Sequence, residues 1–187
     1  MYIDPTPYTG APAPAGRDDA ELRCYPLLES LGISFIRFDH EPTASIAACE
    51  AVEALLEAPI CKNLFLTNRQ QTDFYLLVMP GNKPFKTKVL SHQLGTSRLS
   101  FGSPEDMERL MDLQPGSVSI LGLMNDRERR IRLVLDRDLT REPWFCCHPC
   151  RNTSSLRMTT EDMLTRLLPA LGHEPVWVEL PREDPEA

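Results

Sequence analysis

Two apolar runs, KNLFLTN from Lys62 and DFYLLVMP from Asp73, are separated only by the polar run RQQT. So short a link cannot carry a parallel crossover, so the two runs are neighbouring antiparallel strands. The rest of the fold has to assemble around this hairpin. Ahead of it, DDAELRCYPLLESLG sets Leu22, Tyr25, Leu28 and Leu31 at helical spacing behind an acidic start, with Gly32 as the stop signal. ISFIRFDH alternates as a strand, and TASIAACEAVEALLE predicts a second helix capped by Thr43 or Ser45. Beyond the hairpin, PFKTKVLSHQLG predicts a helix closed by Gly95, RLSF a short strand, and SPEDMERLMD a helix with Ser103 as cap and Asp106 at the capping-box position. SVSILGL, IRLVLD, WFCCH and SSLRM follow as strands, TTEDMLTRLLPALG as a last helix ending at Gly172, and PVWVEL as a final strand. Helices and strands are interspersed, and several strand links are too short for parallel crossovers. The expected class is α+β, a central mixed, largely antiparallel sheet or barrel flanked by helices.

At 187 residues and 42% hydrophobic the chain can bury one good core, which predicts a single domain over residues 18–181. Residues 1–17 hold four prolines, two glycines and three alanines, too little apolar side chain to offset the entropy of ordering, and are expected to form a flexible arm. Residues 182–187 are expected to fray. Neither a basic start followed by an apolar run nor a bilayer-length apolar stretch is present, so a membrane partner is not expected and the cytoplasm is the expected compartment.

The net charge of −7 argues against a nucleic-acid partner only until its distribution is considered. Between Ala58 and Pro104 the basic residues are Lys62, Arg69, Lys83, Lys86, Lys88 and Arg98, against the single acid Asp73. An acidic protein with one basic stretch can steer an anionic substrate onto one face, with Lys88 and Arg98 as candidate contacts; solvated lysines sharing no face are the bland alternative. Glycine-rich phosphate loops are absent, which argues against a nucleotide-dependent enzyme.

Cys147 and Cys150 form a CxxC around His148 and Pro149, which invites a redox pair or a zinc site. A second metal-binding pair is missing and the following RNTSSLRM has the character of turn and strand, so thiols in a reducing compartment are the favoured reading, with no metal and no cofactor. Lys62, at the entrance of an apolar strand beside Asn63, can point its ammonium into a cleft or simply snorkel to water. His148 before a proline, and Asn125 and Asp126 in GLMNDRERR, have ordinary structural uses as well. His40 and His173, each just ahead of a Glu-Pro pair, have strong readings as turn residues. No Ser/His/Asp set with a recognisable nucleophile context is evident.

In order along the chain, however, KNLFL from Lys62, LGTSRLSFGSPEDM from Leu94, PGSVSILGLMND from Pro115, LVLDRDL and HPCRNTSSLRMTTEDM from His148 form a series. Together they resemble the YbaK/prolyl-tRNA-synthetase-associated editing domain family, and within it the free-standing prolyl-tRNA editing branch. The likeness runs from about His40 to Pro175.

The resemblance implies a sheet-centred α/β body that hydrolyses the ester joining a non-cognate amino acid to transfer RNA, here alanine on the proline-specific tRNA. It implies that Lys62 holds the terminal adenosine or its phosphate, and that His148 borders the amino-acid pocket, these two being the candidate catalytic residues. Asn125, Asn152 and Thr153 are the implied pocket-lining contacts, and Asn63, next to Lys62, is a further candidate substrate contact. The acceptor end of the tRNA is the implied partner, with prolyl-tRNA synthetase as a further candidate. The chain departs from the family pattern at EAPIC before Lys62, which lacks an expected glycine, and at Cys146, Cys147 and Cys150. Removal of cysteine or serine, a non-catalytic RNA- or DNA-binding module, and a thiol redox or zinc protein are the competing readings.

Overall fold

In the computed structural model, which describes residues 1–42 and 46–183, the hairpin forms as the sequence requires. Strands β2 (Lys62–Thr67) and β3 (Phe74–Met79) are antiparallel, with Lys62 opposite Met79 and Thr67 opposite Phe74. The turn is closed by Asn68, whose side-chain oxygen accepts from the N–H groups of Thr72 (2.9 Å) and Asp73 (3.2 Å). β4 (Ser100–Phe101) pairs antiparallel with β2. On the other side β5 (Ile131–Asp136) pairs parallel with β3, and β8 (Val176–Val178) parallel with β5. In this five-stranded sheet, ordered β4-β2-β3-β5-β8, every residue of β3 is buried, as a central strand covered on both faces should be.

A second sheet, β1-β7-β6, is antiparallel throughout, from β1 (Ile36–Asp39), β6 (Trp144–Cys147) and β7 (Ser154–Thr159). The strands are thus mixed and largely antiparallel, divided between two sheets. No helix among the described residues is long and apolar enough to cross a membrane.

The first helix is two: α1 (Asp19–Leu22) and α2 (Cys24–Ser30). Pro26 has no N–H to give the Leu22 carbonyl four residues back, so the hydrogen-bond ladder is interrupted between them. The caps expected for α3 (Ile46–Leu56) at Thr43 or Ser45 fall outside the described residues. At its far end Glu57, the first residue of the EAPIC segment that lacks an expected glycine, adopts φ +53, the left-handed conformation that a glycine would take without strain. α4 (Thr87–Leu94) closes on Gly95 at φ +62, and α5 (Pro104–Met111) begins with the Ser103 hydroxyl accepting from the Asp106 N–H at 3.0 Å, both as expected. The last helix runs from α6 (Thr160–Asp162) through a π-helical turn (Met163–Leu167) into α7 (Leu168–Leu171). The switch to five-residue hydrogen bonds comes just before Pro169, which cannot donate to Thr165.

Two expectations are corrected. SVSILGL is not a strand: Ile120–Asn125 is a 3-10 helix, started by the Ser119 hydroxyl accepting from the Leu121 N–H. A short, wholly buried apolar run has no periodicity to separate strand from helix. The close packing of Gly122, where a Cβ would sit 2.6 Å from Leu113 Cδ1, belongs to the helical alternative. Nor does the N-terminal arm stand free. It lies along the outer edge of β1, with Tyr8 and Arg37 exchanging backbone hydrogen bonds (2.9 and 2.7 Å), the Asp4 N–H on the Asp39 carbonyl and the Glu41 N–H on the Tyr2 carbonyl. Arg37 also stacks its guanidinium over the Tyr8 ring at 4.6 Å, and Arg17 bonds Glu21, Asp39 and Ser154. Backbone pairing and buried ion pairs, which composition does not register, hold this segment in place.

Candidate active site

A cleft of about 940 Å³ opens at the start of β2, lined from α3, the turn after β3, strand β4, the Pro115–Gly116 turn and the residue that follows β6. Two glycines give it its shape. A Cβ on Gly81 would lie 2.2 Å from the Ile60 carbonyl oxygen, and one on Gly102 would lie 2.4 Å from the Phe65 ring. Gly81→Ala therefore pushes two backbone segments of the wall apart, and we expect it to cost about 1–3 kcal/mol, the range for overpacking. A fall in thermal midpoint accompanied by a fall in activity checks this; an unchanged midpoint would refute the clash.

Lys62 stands at the first position of β2, half-buried, and donates to the Lys83 carbonyl at 2.5 Å. That carbonyl is itself immobilised, because the Lys83 ammonium is buried against Asp136 and Asp138 (2.8 Å each) and the Leu180 carbonyl (2.8 Å). Lys83 is thus committed to the fold and is no substrate contact. Burial moves the Lys62 ammonium below its usual 10.5. Asn63 also lines the cleft, but its carboxamide is a brace: it donates to the Cys61 carbonyl and accepts from the Ile120 N–H, both at 3.1 Å.

His148 lines the same cleft. Its Nδ1 lies 2.9 Å from the Ser154 carbonyl, which can only accept, so Nδ1 carries the hydrogen and Nε2 keeps its lone pair. Burial holds its pKa below the usual 6.5, keeping the ring neutral. His40 is no mere turn residue: it is buried, its ring centroid 6.0 Å from that of His148, and Ser155 Oγ lies within 2.9 Å of His40 Nε2 and 3.3 Å of His148 Nδ1.

The other expected contacts do not converge here. Asn152 and Thr153 line a separate polar depression of about 630 Å³, with Arg17, Asp39 and Arg151, which shares Pro115 with the cleft. Asn125 is spent on the Met111 carbonyl at 2.8 Å and lines neither space, while Lys88 and Arg98 are exposed outside both. Glu53, Gly81, Phe101 and Gly116 line the cleft without having been singled out. The Pro-Gly pairs at 80–81 and 115–116, turn signals directly after or before apolar runs, were the available clue to two of them.

Cys147 and Cys150 are buried free thiols. Cys150 Sγ lies 3.5 Å from Cys24 Sγ, and burial pushes the Cys147 thiol well above its usual 9.0, which keeps it protonated and poorly nucleophilic. Among the described residues no three His, Cys, Asp or Glu side chains are grouped to hold a metal ion.

A family model described as the aminoacyl-tRNA editing domain matches residues 40–165, the span that carries Lys62, His148 and every wall of the cleft. The chain belongs to this family. As an aminoacyl-tRNA editing protein it is a deacylase whose substrate is a mischarged tRNA. Two relatives of this editing domain are each 28% identical to it. One is the prolyl-tRNA editing protein ProX of Acetoanaerobium sticklandii, over 162 residues that cover 87% of this chain and 98% of the relative. The other is prolyl-tRNA synthetase associated domain-containing protein 1 of Danio rerio, over 151 residues that cover 80% and 81%. A solved structure described as a trans-editing enzyme for prolyl tRNA synthetase superposes with a TM-score of 0.65 at 18% identity, covering 89% of this chain and all of the other, which establishes the fold.

Proposed function

We propose that the protein is a trans-editing deacylase that removes alanine from proline-specific tRNA by attack of water on the ester, without a covalent enzyme intermediate. The observation that carries this is the pairing, in one cleft, of a lysine ammonium with a histidine whose neutral Nε2 is left as an acceptor. Ester hydrolysis needs positive charge where the carbonyl oxygen becomes an oxyanion, which Lys62 supplies, and an acceptor for the proton of the attacking water, which His148 supplies. No activated serine or thiol is called for, and the vicinal hydroxyl of the terminal ribose helps to position the water. The names of the two relatives support proline tRNA as the substrate and prolyl-tRNA synthetase as a partner.

Alanine is the amino acid that such a second site best serves. A synthetase pocket built for proline gains only ~1–3 kcal/mol against a side chain smaller by a methylene or so, and a site that admits the smaller group completes the discrimination. Residues 18–181 act as one editing domain, and serine or cysteine on the same tRNA are the alternative substrates.

Labelled alanine released from alanyl-tRNA of the proline type, beside prolyl-tRNA as control, tests the reading. Fast release of alanine alone is expected; release of serine or cysteine instead would move the specificity, and release of none by folded protein would remove it. The pH dependence tests His148. Its acceptor is lost on protonation, so kcat/KM is expected to stay level through neutrality and to fall as pH drops through a pKa below 6.5. An acid limb centred above 6.5, or one that persists in His148→Ala, would assign the proton acceptor elsewhere.

A further inference from the structure

Phe101 is 64% exposed, although its ring lines the rim of the cleft. A lone exposed aromatic is common on a protein surface; one fixed in position beside a cleft for an RNA end is not. Its backbone is paired with Leu66 across β2 and β4, and the next N–H, that of Gly102, donates to the Phe65 carbonyl at 3.0 Å. Gly102 in turn rests so close on the Phe65 ring that no side chain fits between them. Phe85 makes a T-shaped contact with the Phe101 ring at 6.3 Å between centroids, and most of the Phe101 side chain remains open to solvent. The same edge of the sheet presents positive charge: Arg98 lies just ahead of β4, and the Arg69 N–H is 3.4 Å from Ser97 Oγ, which sets the hairpin turn beside it. Both arginines are exposed.

We propose that Phe101 is the stacking platform for the terminal adenine of the tRNA, holding the base at the rim while the ester reaches Lys62 and His148. This rests on the editing reading above. Every base has a flat π-face, and single-stranded RNA ends are held by such aromatic shelves flanked by cations. A buried phenylalanine would serve packing; this one, fixed by its backbone pairing and largely exposed, serves a flat partner. Arg98 and Arg69 lie where the phosphates preceding that adenosine would pass.

The test uses a minihelix of the proline acceptor stem with 2-aminopurine as its 3′-terminal base, a probe whose fluorescence is quenched by stacking. Quenching is expected with the wild-type protein and with Phe101→Trp, and is expected to vanish with Phe101→Leu, which keeps apolar bulk without a ring. In deacylation assays Phe101→Leu should raise KM about 5- to 150-fold, the equivalent of a lost base–aromatic stack, with kcat changed far less and Phe101→Trp restoring it. Quenching or KM that leucine preserves as well as tryptophan would overturn the assignment, since packing alone would then account for the residue. The two readings fail separately. A wild-type protein that hydrolyses but does not quench loses the shelf and keeps the activity, whereas one that quenches and hydrolyses no aminoacyl-tRNA keeps the shelf and loses the editing reading.

Discussion

Lys62→Ala is expected to lower the rate of amino-acid release by about 10²–10³-fold, the loss typical of removing one group that stabilises an oxyanion. The magnitude follows from what surrounds the ammonium. It is half-buried, held at one point by the Lys83 carbonyl, and among the described residues no carboxylate pairs with it, so its charge is available to the ester. The fold should tolerate the change, because among the described residues the side chain makes that one hydrogen bond and a net ~1 kcal/mol is at stake. Single-turnover release of alanine together with a thermal melt separates the two effects: the rate should collapse while the midpoint moves by a few degrees. Lys62→Arg should not restore the rate, since a planar fork cannot occupy the place of a compact ammonium. A rate in Lys62→Ala within a few-fold of wild type would take Lys62 out of the chemistry.

His173→Ala should cost about 3–5 kcal/mol of stability, the range for leaving a buried carboxylate without its partner. The histidine and Asp126 are each 2% exposed in their side chains, with His173 Nε2 at 2.9 Å from Asp126 Oδ2. His173 Nδ1 faces the Leu171 carbonyl at 2.8 Å. The ring is thus bonded on both sides, to the carboxylate through one nitrogen and to the end of α7 through the other. Asp126 also accepts the N–H groups of Arg130 (3.0 Å) and Ile131 (2.8 Å), so one carboxylate ties the end of α7 to the start of β5. Removing the ring leaves that charge buried with only amides to answer it. A urea midpoint shifted at constant slope would show this, and the double variant Asp126→Asn/His173→Ala should recover part of the loss because no bare charge remains. A shift below about 1 kcal/mol in His173→Ala would mean that water replaces the ring.

What the sequence disclosed was local. Polar punctuation between apolar runs placed β2 and β3, a serine two residues ahead of an acidic turn placed the start of α5, and glycines at 95 and 172 placed two helix ends, because each is decided within a few residues. What it hid depended on distant partners. Ile120–Asn125 is helical because of what Gly122 packs on, and Asn125 left the candidate site because the Met111 carbonyl, fourteen residues away, claims it. Within the site, Lys62, Asn63 and His148 did meet, but spacing along the chain could not tell that Asn63 is braced against Ile120 or that Asn152 and Thr153 fall beyond the Pro115 turn. His40 and His173 each precede a Glu-Pro pair and suggested turns alike. Only the packing distinguishes a neighbour of His148 from the partner of a buried carboxylate.

The arm along β1 also settles where the small sheet ends. A bare strand margin is a template on which another chain, or a second copy of this one, can keep building. Here the margin is filled from within the molecule by a segment carrying Pro5 and Pro7, which have no N–H to offer outward. The sheet is thereby finished on that side, and its β1 margin offers no open ladder on which a second chain could add.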